Sequence, residues 1–119
     1  MAITMNIIWS NEIDSALKVG FPLMEFGINN WALDARSALL AISKLGEMGI
    51  GILGGDVYVN NNGTIEANYD NWYCNIMQDE TPLAFIQRSN SVAVAYIENY
   101  LIQTPGVNPL FAIVPLVAK

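Results

Sequence analysis

The sequence has no histidine, and that removes the Ser-His and Cys-His nucleophile pairs, the imidazole proton shuttle and His-ligated zinc. Its one cysteine, Cys74, cannot close an internal disulfide, has no base to activate it, and fits a reducing cytoplasm. Basic residues are scarce. Five Lys and Arg stand against eleven Asp and Glu, a formal charge of −6, so nucleic acid is not an expected partner, because phosphate binding depends on Lys and Arg. A basic protein is the better electrostatic match. Long apolar runs are also missing: the longest, Leu110 to Ala118, is too short for a bilayer and contains Pro115, so no membrane contact is expected. Met1 to Trp9 has neither a basic n-region nor a small-residue cleavage site, and no signal peptide is expected.

What remains is 119 residues, 53% hydrophobic and only 13% charged. That is one domain with a sizeable core, and it excludes a disordered chain. So little charge leaves apolar or uncharged surface outside, which favours contact with another chain, a second copy included.

Ser10 reads as the cap of a first helix, with Glu12 and Asp14 at the positive end of its dipole and Lys18 and Gly20 at the other. Phe21 to Phe26 is apolar but interrupted by Pro22 and Gly27, an irregular or very short extended segment. The clearest helix spans Asp34 to Met48, where Ala35, Ala38, Leu39, Ile42 and Leu45 recur at helical spacing. Leu40 then falls with Arg36 and Glu47 on the opposite, exposed side.

Ile50 to Val59 and Thr64 to Tyr69 are strand-like, and the Asn60-Asn61-Asn62-Gly63 between them is a hairpin signal. This explains the Asn62-Gly63-Thr64 glycosylation-type triplet as turn chemistry. A further strand is expected over Asn71 to Met77, with Trp72, Cys74 and Ile76 on one side. Thr81-Pro82 starts a helix that should break near Ser89 to Ser91. A second helix then runs to Gln103 and buries Ala93, Ile97, Tyr100 and Leu101. Leu110 to Val117 returns as an edge strand, since Pro115 cannot donate to a ladder. Helices packed against a small, mostly antiparallel sheet make an α+β domain.

Few residues offer chemistry. Tyr58 to Tyr69 has calcium-loop spacing at Asn60, Asn62 and Gly63, but Tyr58 and Tyr69 replace the carboxylates of positions one and twelve. Asp56, Glu66 and Asp70 could converge near one hairpin, to hold magnesium or do acid-base work, although each also suits a backbone-binding role at a turn. Gly54-Gly55-Asp56 interrupts a good strand and implies a bulge or a close approach that a Cβ would block. No cofactor and no metal are expected.

Four blocks carry a resemblance: Asn30-Trp31-Ala32-Leu33, Ile52-Leu53-Gly54-Gly55-Asp56-Val57-Tyr58, Tyr69-Asp70-Asn71-Trp72-Tyr73 and Tyr96-Ile97-Glu98-Asn99-Tyr100. Together, across Phe21 to Gln103, they resemble the immunity protein 40 family of bacterial polymorphic-toxin systems. The resemblance implies a small cytoplasmic α+β protein, encoded beside a toxin, that binds the toxin domain and is not an enzyme. The expected contact surface joins Asp56 and Asp70, as partners for Lys or Arg, with the aromatic residues Tyr58, Trp72 and Tyr73; burial of Trp72 in the sheet and a turn-closing Asp70 are the competing structural reading. Two other readings stay open: a small carboxylate- or metal-dependent enzyme, and a self-associating structural module.

Overall fold

Ser10 opens helix α1 (Asn11–Leu17); its hydroxyl accepts the Ile13 N–H at 3.1 Å, the bond that the cap position predicts. The computed structural model describes residues 7–117; the first six residues of the leader reading, and Ala118 and Lys119, lie outside them. Asp14 has a second use besides the dipole. Its buried carboxylate accepts the N–H groups of Ile8 and Trp9 at 2.8 and 2.9 Å, which ties the preceding chain to the helix.

The expected irregular segment forms a small flap. Strand β1 (Phe21–Pro22), a 3-10 turn (Met24–Phe26) and strand β2 (Trp31–Ala32) fold back antiparallel. Helix α2 (Ala35–Glu47) is capped by Asp34, which accepts the Ser37 N–H at 2.8 Å. It buries Ala38, Ala41, Ile42 and Leu45 and leaves Leu40 60% exposed, as the periodicity predicts.

Strands β3 (Ile52–Asn61) and β4 (Thr64–Tyr73) make the expected hairpin. Asn62 and Gly63 both take positive φ, 54° and 92°, which a tight primed turn requires. The Asn60 side chain accepts the Gly63 N–H at 2.8 Å and fixes the turn. The separate strand expected over Asn71 to Met77 does not exist. Asn71 to Tyr73 are the end of β4, continuous with Thr64 to Tyr69 across a bulge where the register shifts between Asp56 and Tyr58. Tyr69, at φ 71°, absorbs the extra length. After Tyr73 the chain leaves the sheet, and Ile76 is exposed rather than aligned with buried Trp72 and Cys74.

Helix α3 (Pro82–Gln103) begins at Thr81, whose hydroxyl accepts the Ala84 N–H at 3.1 Å. It runs unbroken through Ser89 to Ser91, where the sequence suggested an interruption. Polar side chains there face neighbouring elements. Ser89 Oγ accepts the Ile52 N–H at 3.0 Å and Asn90 Nδ2 donates to the Ile42 carbonyl at 2.9 Å, so they join α3 to β3 and α2. Ala93 and Ile97 are buried and Tyr100 half-buried, but Leu101 is 40% exposed, outside the predicted stripe.

Strand β5 (Pro109–Pro115) pairs antiparallel with β3 at the edge of a sheet ordered β4-β3-β5. Leu33 and Phe111 exchange backbone hydrogen bonds of 2.9 and 2.7 Å, linking the flap to β5. The result is the expected α+β fold. The helices cover one face of the sheet through Ile42, Leu45, Ile97, Val57, Trp72 and Phe111, while the flap covers part of the other through Leu23, Ala32, Tyr58, Leu110 and Ala112. Among the described residues, no helix is long and apolar enough to cross a membrane.

Candidate partner-binding surface

The glycine pair in β3 makes room for a tryptophan. A Cβ on Gly55 would run into the Trp72 indole and stand 2.6 Å from the Ala112 carbonyl oxygen. One on Gly54, whose φ is 152°, would lie 2.8 Å from the Tyr73 Cα. The close approach expected from the sequence is therefore real at both positions. The same bare backbone leaves a shallow hollow of about 180 Å³, bordered by Asp56, Asn71, Tyr73 and Val114.

Strand alternation divides the five candidate residues between two faces. Gly55 pairs with Trp72 and Ile113 on the helix side, so Asp56, paired with Asn71 and Ala112, points to the other side. Asp56, Tyr58 and Tyr73 share that outer face; Asp70 and Trp72 are on the helix face. Exposure divides them again. Asp56 and Asp70 are exposed and Tyr73 is 74% exposed, but Tyr58 and Trp72 are 4% and 7%. Tyr58 packs below the flap with its ring 6.0 Å from that of Phe26. Trp72 stacks on Tyr96 at 4.7 Å, and its buried indole N–H has no hydrogen-bond partner among the described residues.

Asp70 is held by a short network. The Tyr100 hydroxyl donates to Asp70 Oδ2 at 2.8 Å and accepts from Asn68 Nδ2 at 2.9 Å. Burial first, and then this bond to a carboxylate, push the Tyr100 phenol up to about 12. Burial and nearby Asp70 raise Tyr96 in the same direction. On the other face, burial raises Asp56, and burial followed by the Asp56 charge raises Tyr58.

The carboxylates do not converge as the enzyme reading needs. Asp56 is on one face, while Glu66 and Asp70 are on the other; Glu66 meets the Asn61 amide at 3.5 Å. Among the described residues, no three His, Cys, Asp or Glu side chains stand together as a metal-binding group. What the surface does have is charge of one sign. Strands β3, β4 and β5 carry Asp56, Glu66 and Asp70 and no Lys or Arg. Lys18, Arg36 and Lys44 are all on α1 and α2 or at their ends.

The remaining described cation, Arg88, is committed elsewhere. It donates to both Glu80 oxygens at 2.7 and 2.8 Å, to the Asn75 carbonyl at 2.5 Å and to Cys74 Sγ at 3.0 Å. This holds the loop from Cys74 to Glu80 on α3, and the Glu80 carboxyl is lowered to about 2, chiefly by the Arg88 bonds. Sequence reasoning missed Arg88, Tyr96 and Tyr100 as organising residues. No local spacing signals the first, because Glu80 precedes the helix and stands eight residues from Arg88, beyond the three- and four-residue separations that pair along a helix.

A comparison with protein families matches residues 22–115 to the model described as Immunity protein 40, well over half of the chain. The comparison with curated proteins gives no match.

Proposed function

The chain belongs to the immunity protein 40 family, and from that premise we propose that it neutralises a cognate bacterial toxin domain by protein-protein contact in the cytoplasm of the producing cell. The family match is the observation that carries this reading. The charge distribution supports it and adds a direction: a sheet with three carboxylates and no base suits a basic toxin domain, whose encounter an acidic surface accelerates. The contact surface includes Asp56 and Tyr73 beside the hollow over Gly54 and Gly55. Asp70 adds a second carboxylate contact from the helix face at the β4 edge. Tyr58 and Trp72 act from beneath, by fixing the flap and the sheet.

The test is co-expression with the toxin domain encoded by the adjacent reading frame, which on its own should arrest growth of the host. Rescue by this chain, and co-purification of the two as a complex, are the expected results. Continued arrest with both proteins soluble and expressed would sink the proposal. Rescue by turnover of the toxin's substrate or product, with no complex formed, would support the enzyme reading instead.

A further inference from the structure

Strand β4 ends the sheet, and among the described residues no strand pairs with its outer side. Its open backbone groups can be assigned from the register. The two-residue turn makes Asn61 and Thr64 a hydrogen-bonded pair, so antiparallel alternation directs the N–H and C=O of Ile65 and Ala67 away from β3. Beyond the bulge, the Cys74 N–H donates to the Leu53 carbonyl at 2.8 Å, and the same alternation turns Asn71 and Tyr73 outward. Such a row of unpaired donors and acceptors is a template for another strand.

Charge selects which strand. Glu66 and Asp70 lie on β4 itself and Asp56 is opposite Asn71, with no Lys or Arg on the sheet. Two β4 edges brought together would place carboxylates against carboxylates, so the edge disfavours a second copy of this chain. A strand bearing Lys or Arg meets opposite charge at the same positions. Tyr69 and Tyr73, 87% and 74% exposed, stand at the bulge and at the end of the edge, where aromatic side chains can flank an added strand.

We propose that the outer edge of β4 takes an extended, Lys- or Arg-bearing segment of the partner domain as a fourth strand of the sheet. This rests on the toxin-binding reading and adds the mode of docking to it. Main-chain pairing through Ile65, Ala67, Asn71 and Tyr73 provides affinity, and the carboxylates provide selectivity.

The test removes one backbone donor. Ala67→Pro deletes an outward N–H that the β3 ladder does not use, a place where an edge strand tolerates proline; Ala67→Ser keeps the N–H. The probe is the purified toxin domain from the adjacent reading frame, with binding measured by calorimetry. Ala67→Pro should weaken binding about tenfold or more, and Ala67→Ser should bind as the parent chain does. Amide hydrogen exchange on the parent complex gives a reading independent of any variant's folding: Ile65, Ala67, Asn71 and Tyr73 should gain protection. Unchanged affinity of a folded Ala67→Pro chain, or exchange at these amides that binding does not slow, would overturn edge pairing while leaving toxin binding intact. A parent chain that does not bind the toxin domain overturns both. A concentration-dependent dimer abolished by Ala67→Pro would show that the occupant is a second copy, and would overturn the assignment to a basic partner.

Discussion

The Trp72 indole occupies the space that a side chain on residue 55 would need, and Gly55 leaves it free. Gly55 and Trp72 are opposite each other in the pairing of β3 with β4, and Trp72 in turn stacks on Tyr96 of α3 at 4.7 Å. Trp72 is thus one of the residues that join the sheet to the helix layer, beside the Ser89 bond to Ile52 and the Tyr100 bond to Asp70.

Gly55→Ala should therefore destabilise the protein by about 1–3 kcal/mol, the range for forcing an extra methyl into a packed core. Urea denaturation measures it. Trp72→Phe in the Gly55→Ala background should recover part of the loss, because the smaller ring gives way to the methyl, and a double-mutant cycle reads that coupling. Additive effects of the two changes would mean that the clash is relieved elsewhere.

Acid should act through Glu80. Its carboxyl accepts two bonds from Arg88 and the Met77 N–H at 3.0 Å, and is lowered from 4.5 to about 2. A carboxyl lowered in the folded state contributes its full stability above the unfolded value and loses it as pH falls toward the folded one. The parent chain should thus lose stability between pH 4.5 and about 2, and Glu80→Gln should show a shallower slope in that window. Identical slopes would exclude Glu80 as a source of the acid dependence.

Tyr100 gives the alkaline counterpart. Its hydroxyl bonds Asp70 and Asn68, so Tyr100→Phe should cost about 1 kcal/mol, the net value of a hydrogen bond. With the folded phenol raised to about 12 from 10, its contribution is complete below pH 10 and declines as pH rises toward 12. Tyrosinate absorbance followed across an alkaline titration should lose its latest-titrating component in Tyr100→Phe. Retention of that component would place the late phenol elsewhere.

Local signals in the sequence were legible where a short segment determines the outcome. Asn62-Gly63 gives the turn because both residues must take positive φ, Asp34 and Thr81 cap helices through their own side chains, and α2 shows its buried face by spacing. Non-local effects were not. Nothing near Ser89 indicates that Ile52, on strand β3, supplies the N–H that its hydroxyl accepts, so a polar run in α3 reads as a break. At the β4 bulge, likewise, Asn68 and Asp70 both bond to Tyr100, about thirty residues away. That bulge separates Thr64 to Tyr69 from Asn71 to Tyr73 in sequence pattern but not in space. Of the candidate site, Asp56, Asp70 and Tyr73 are exposed, while Tyr58 and Trp72 are buried. Composition alone could not tell that Tyr58 and Trp72 face opposite layers of the core.

The two faces give a direct test of the binding surface. Asp56→Ala and Tyr73→Ala remove exposed groups that border the hollow over the glycine pair, and together they should weaken toxin binding by about 2 kcal/mol or more with the melting temperature little changed. Raising salt should reduce the association rate of the parent chain more than that of Asp56→Ala, since a removed carboxylate has no attraction left to screen. Tyr58→Ala and Trp72→Ala should instead destabilise the fold by about 3–5 kcal/mol, the cost of truncating a buried aromatic side chain. Any binding they lose should follow the fraction unfolded. The decisive comparison is calorimetric affinity against melting temperature across these four variants. If the Asp56 and Tyr73 variants bind as the parent does, the outer sheet face is not the contact surface. The contact candidates are then Arg36, Leu40 and Glu47, exposed on α2 at the opposite side of the molecule.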